Sequence, residues 1–140
     1  MKIAVVFWSG TGNTEAMAQA VAEGARKAGA AAERMTSDAF GVEQVAAFEA
    51  FAFGCPAMGA EVLEEESFDP MFTACENALA GKRVALFGSY GWGDGEWMRA
   101  WERHCADDGI SLVAESVICQ EAPDEDALNR CRDLGIALAQ

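Results

Sequence analysis

The sequence predicts an α/β fold, a three-layer doubly wound sandwich around a five-stranded parallel sheet. Two observations carry this reading. Short unbroken apolar runs, the pattern of strands covered on both faces, alternate along the chain with segments of helical periodicity. The residues of unusual chemistry also fall in loops that directly follow strands, which is where open α/β sheets bind ligands.

The elements follow in order. Lys2–Phe7 is a buried strand because Ile3, Ala4, Val5, Val6 and Phe7 are consecutive and apolar. After a loop from Trp8 to Asn13, Met17, Val21 and Ala25 recur at helical spacing beside Ala18 and Ala22. Glu15, Gln19, Glu23 and Lys27 take the other face, and Gly29 ends the helix. Ala31–Thr36 reads as a second strand and Phe48–Gly54 as a third. Asp69-Pro70 starts a helix whose apolar stripe is Phe68, Phe72, Cys75 and Leu79. Arg83–Gly88 is the fourth strand, and Glu96–Cys105 is a helix with Trp97, Trp101 and Cys105 at steps of four. Leu112–Cys119 is the fifth strand. Pro123, followed by Asp124, Glu125 and Asp126, opens a last helix that buries Ala127, Cys131, Leu134 and Leu138.

At 140 residues, 51% hydrophobic and 24% charged, the chain has the size and composition of one globular domain, 1–140, with no linker or repeat. The apolar run Ile3–Trp8 is too short to span a membrane and lacks the cleavage site of a signal peptide, so a soluble, cytoplasmic protein is expected. The five cysteines are odd in number and contain no C-x-x-C pair. They read as small buried thiols in a reducing compartment, and no metal or cluster site is expected of them. A net charge of −13 repels nucleic acid and favours protein partners with basic docking surfaces.

Ser9-Gly10-Thr11-Gly12-Asn13-Thr14 joins the first strand to the first helix. Glycines let the backbone approach an anion, the free N–H groups of the first helical turn point at it, and hydroxyl and amide side chains add neutral donors. No Lys or Arg occurs between Lys2 and Arg26. The loop is therefore neither a nucleoside-triphosphate loop, which needs Gly-Lys-Ser/Thr, nor a dinucleotide fingerprint, whose third glycine falls where Glu15 stands. A phosphate held without charge is the reading, against the plainer one of a capped strand-to-helix turn. Two further loops, Cys55-Pro56-Ala57-Met58-Gly59-Ala60-Glu61 and Gly88-Ser89-Tyr90-Gly91-Trp92-Gly93-Asp94-Gly95, supply an aromatic residue flanked by glycines and a pliable methionine. Such a pair suits the two faces of a flat ligand.

These three loops, in order and at family spacing, resemble the flavin mononucleotide (FMN) binding loops of short-chain flavodoxins of the clostridial type. The resemblance covers essentially the whole chain. It implies a flavodoxin-like sheet of strand order 2-1-3-4-5 and a monomer that carries electrons at low potential, one at a time, on non-covalently bound FMN between redox proteins. Ser9, Gly10, Thr11, Gly12, Asn13 and Thr14 would wrap the phosphate. Trp92 and Met58 would cover the two ring faces, and Glu61 would accept a hydrogen bond from the ring N3–H. Pro56, Ala57, Gly59, Ala60, Ser89, Tyr90, Gly91 and Gly93 would hold the ring and ribityl edges, with Gln120 and Glu121 bordering the same pocket.

Family behaviour further implies that the Gly59–Ala60 peptide turns over on one-electron reduction. A type II′ turn over Met58–Glu61, with positive φ at Gly59, is expected, because a type II turn would ask Ala60 for positive φ at roughly 1–2 kcal/mol. The acidic run Glu61, Glu64, Glu65, Glu66 and Asp69 would lower the potential through its field, or else be a solvated face. With both ring faces covered, no substrate turnover is expected and a flavin reductase is disfavoured. An FMN module dedicated to one partner enzyme remains open. A receiver domain is disfavoured because Phe7, Trp8 and Ser9 stand where its acidic residues would be. The only histidine, His104, reads as a surface residue.

Overall fold

A computed structural model describes residues 1–140. Its strands are β1 (Lys2–Phe7), β2 (Ala31–Thr36), β3 (Ala50–Gly54), β4 (Arg83–Tyr90), β5 (Ser111–Leu112) and β6 (Val117–Gln120). Its helices are α1 (Asn13–Lys27), α2 (Phe68–Cys75), α3 (Glu96–Asp107) and α4 (Glu125–Leu138). The sheet is parallel throughout, in the order β2-β1-β3-β4-β5, with β6 also pairing with β4.

The alternation of side chains along each strand builds two cores. Ala4, Val6, Phe51, Phe53, Val84 and Leu86 face α2 and α3, where Phe68, Phe72, Trp97 and Trp101 are buried. Ile3, Val5, Ala50, Ala52, Ala85 and Phe87 face α1 and α4. The first core is aromatic: Phe53 meets Phe72 edge-on at 5.2 Å, and Phe68 meets Trp101 at 5.4 Å. The second is built from small residues, so its helices approach closely. A Cβ at Gly24 would lie 1.9 Å from the Arg132 carbonyl oxygen, and one at Gly135 would lie 2.0 Å from that of Val21. Each helix thus presents a glycine to the other's backbone.

One element differs from the sequence reading. The single strand expected over Leu112–Cys119 is interrupted. Leu112 pairs with Val84 and Val117 with Phe87, so the four residues 113–116 stand against only Ala85 and Leu86, and the surplus bulges from the edge. The link from β2 to β3, to which the sequence reading assigns no element, contains two 3₁₀ turns, Ser37–Ala39 and Val42–Ala47. They seat Phe40, Val45 and Phe48 in the aromatic core.

Candidate functional site

The carboxyl ends of β1, β3, β4 and β6 converge on one cleft of about 270 Å³. Its walls are Gly10, Thr11 and Asn13 from the first loop; Pro56, Ala57 and Met58 from the second; Ser89, Tyr90 and Gly91 from the third; and Glu121. The ladder continues past the strands to hold these loops. Trp8 N–H donates to Gly54 O (3.1 Å), Ala57 N–H to Ser89 O (3.0 Å) and Glu121 N–H to Tyr90 O (2.8 Å). Buried Trp97 on α3 donates its indole N–H to Cys55 O (3.1 Å), which ties the second loop to the helix beneath it. Gly88 is required here because a Cβ would lie 2.3 Å from that same carbonyl oxygen.

The first loop is shaped by Gly12, which caps α1 with a left-handed φ of 95°. Ser9 Oγ sits inside the loop and accepts from the Gly12 and Glu15 amides at 3.1 and 3.3 Å. An oxygen acceptor is thus already nested among the backbone donors at the start of α1. Thr14 is 1% exposed, and its Oγ1 has no hydrogen-bond partner. Buried hydroxyls are normally satisfied, so this one is a donor in search of an acceptor.

The second loop corrects the turn expectation. Glu61 N–H donates to Met58 O (2.8 Å) and Met58 N–H to Val62 O (2.9 Å). The left-handed residue is Glu61 at φ 54°, not Gly59. A tight turn closed by this pair of bonds places its left-handed residue third in the loop, as in a turn followed by a bulge, so neither Gly59 nor Ala60 needs positive φ. Gly59 and Ala60 are exposed at the tip. The Glu61 carboxylate tucks under the third loop: a Cβ at Gly93 would lie 2.6 Å from Oε1, and Oε1 is buried without a partner. Glu61 also lines a second cavity of about 220 Å³, between the loop and α3, rather than the first cleft.

Among the other sequence-derived candidates, Trp92 stands 61% exposed on the third loop beside the cleft. Gln120 donates from Nε2 to Gly91 O (3.2 Å), and Glu121 holds φ 60° as the chain turns away. Sequence reasoning missed Trp8, whose ring lies 3.0 Å from where a Gly10 Cβ would be and lines the cleft. It was legible only as the last residue of the apolar run Ile3–Trp8, at the start of the loop.

The acidic run is not one solvated face. Glu64 is 5% exposed and accepts the amides of Glu66 (2.9 Å), Ser67 (2.8 Å) and Phe68 (2.8 Å) at the start of α2. Burial alone would raise its pKa, but the three N–H bonds outweigh burial and hold it below the ordinary carboxylate value. It is a helix-capping carboxylate. Cys55 sits beside it, receiving the Glu64 N–H at 3.3 Å on Sγ. Burial first, then the negative charges of Glu64 and Asp69, push its thiol up to about 12, so no reactive thiolate stands next to the cleft. All five cysteines are free.

This geometry matches a known family. The flavodoxin family model matches residues 5–135. The chain is 43% identical to the flavodoxin of Megasphaera elsdenii over 99% of its own length and 98% of that protein's. It is 41% identical to the flavodoxin of Clostridium beijerinckii over 96% and 97%. The solution structure of two-electron reduced M. elsdenii flavodoxin superposes with a TM-score of 0.90 at 44% identity, covering 98% of both chains. The chain belongs to the flavodoxin family, whose members are FMN-binding electron carriers that pass electrons to redox partner proteins rather than turning over a substrate.

Proposed function

We propose that this chain is a low-potential carrier that holds FMN non-covalently in the described cleft and works as a cytoplasmic monomer. One observation carries the reading: two buried polar atoms, Thr14 Oγ1 in the first loop and Glu61 Oε1 between the second and third, lack partners. A phosphate acceptor and a ring N–H donor are what these two atoms need, so the residues present fit FMN.

Ser9, Gly10, Thr11, Gly12, Asn13 and Thr14 hold the phosphate with backbone amides and hydroxyls, without a cation. Met58 and the exposed Trp92 close over opposite faces of the ring. Glu61 accepts from N3–H once its carboxylate swings out from beneath the third loop, and the backbones of Pro56, Ala57, Gly59, Ala60, Ser89, Tyr90, Gly91 and Gly93 line the ring and ribityl edges. Trp8 supports the first loop through Gly10, while Gln120 and Glu121 fix Gly91 and Tyr90. Bound FMN supplies a ring that takes up and returns electrons one at a time. The chain's contribution is to exclude other molecules from both ring faces and to surround the site with negative charge, which disfavours an anionic reduced ring and lowers its potential. The −13 charge steers partners with basic surfaces to the exposed edge. Free, largely buried cysteines suit a reducing compartment, and no helix is long and apolar enough to cross a membrane.

Purified protein mixed with NADH or NADPH and a quinone, with no reductase present, is expected to show no turnover. Stepwise dithionite reduction is expected to resolve two one-electron stages. Rapid quinone reduction on its own would refute the carrier reading.

A further inference from the structure

Away from the FMN cleft, His104 on α3 faces two carboxylates. Its Nε2 lies 2.5 Å from Glu76 Oε2 and 3.1 Å from Asp108 Oδ2. Glu76 begins the 3₁₀ turn Glu76–Leu79 that follows α2, and Asp108 caps the C-terminus of α3. The three ligand atoms lie within 4.8 Å of one another. The Asp108 Oδ2 atom is buried and, apart from this ion-pair contact with His104, has no hydrogen-bond partner. The imidazole is 54% exposed, so water reaches the open side of the cluster.

We propose that Glu76, His104 and Asp108 form a divalent-metal site of the zinc class, with water as the fourth ligand. One imidazole and two carboxylates are zinc ligands, and three protein ligands plus water is a tetrahedral zinc set. Bonds of about 2.0–2.1 Å in a tetrahedron require ligand atoms about 3.3 Å apart. The observed separations of 2.5 and 3.1 Å are shorter than that by less than about 1 Å, so the side chains part slightly to admit the ion. Coordination displaces a proton from Nε2 to solvent; the negative field that favours that proton also attracts the ion. Magnesium and calcium are poorer fits, because they take six or more ligands, nearly all oxygen. A bound ion would join the turn after α2 to the end of α3, beside the second cavity, which His104 also lines. It would stabilise the packing of these two helices.

The test is calorimetric titration of the purified FMN-loaded protein with zinc chloride, followed by thermal unfolding with and without the ion. Saturable 1:1 binding and a raised Tm are expected. His104→Gln and Asp108→Asn should each weaken binding by more than about tenfold, since removing even an outer-shell partner costs about 10–100-fold. Cys119→Ser, which alters the most exposed thiol, should bind zinc as the parent does. Absent or non-saturable binding overturns the proposal. So does binding unchanged in both His104→Gln and Asp108→Asn, or binding lost in Cys119→Ser. Circular dichroism of each variant separates loss of the ligand from loss of the fold.

Discussion

Replacing Thr14 by valine should move two quantities in opposite directions. In the FMN-free chain the Thr14 hydroxyl is buried without a partner, a condition that costs about 1–3 kcal/mol. Valine keeps the shape and removes the polar atom, so Thr14→Val should stabilise the FMN-free protein by about 1 kcal/mol. The same change deletes a hydrogen bond to a charged phosphate, worth about 1.5–3 kcal/mol, which corresponds to a roughly 10- to 140-fold weaker Kd for FMN. Urea denaturation of the FMN-free protein measures the first quantity, and titration of flavin fluorescence measures the second. A variant that is less stable without FMN yet binds it with unchanged affinity would refute the reasoning. The hydroxyl would then have an internal partner and no role toward phosphate.

Trp92→Ala should change FMN-free stability by less than about 0.5 kcal/mol because the ring is 61% exposed. It should weaken FMN binding by the lost contact area plus about 0.5–1.5 kcal/mol of stacking, read by the same fluorescence titration. Glu64→Ala should destabilise the fold by about 3 kcal/mol or more, since three amides lose one buried carboxylate. Because the folded pKa of Glu64 is depressed, its contribution is complete above the ordinary value of 4.5 and is lost as pH falls through the folded value. Acid denaturation curves of parent and variant should therefore converge at low pH. Gly24→Ala and Gly135→Ala should each cost about 3 kcal/mol or more in chemical denaturation, as each Cβ would strike the facing helix's backbone at 2.0 Å or less.

The parts of the fold carried by local pattern were legible in the sequence. The run Ile3–Phe7 reads as a strand buried on both faces, and the glycines and hydroxyls of 9–14 announce a backbone cradle, because both signals lie within a few adjacent residues. Features that depend on partners distant in the chain were not legible. The interruption between Leu112 and Val117 exists only relative to the register of β4. The spacing of His104 and Asp108 at i and i+4 is visible, but Glu76 joins them from 28 positions away. Glu64 looks like its neighbours Glu65 and Glu66 until the start of α2 is seen to close over it. In the turn over Met58–Glu61, glycine is the usual host for a positive φ, and the chain puts Glu61 there instead because the loop closes one residue later, at Val62.

The cation-free phosphate cradle is tested most directly by offering the FMN-free chain FMN and riboflavin side by side in calorimetric titrations. FMN should bind 1:1, and riboflavin should bind more weakly by about a hundredfold or more, the worth of two charge-assisted hydrogen bonds at about 1.5 kcal/mol each. Equal affinity for the two flavins, or no uptake of FMN, would contradict it.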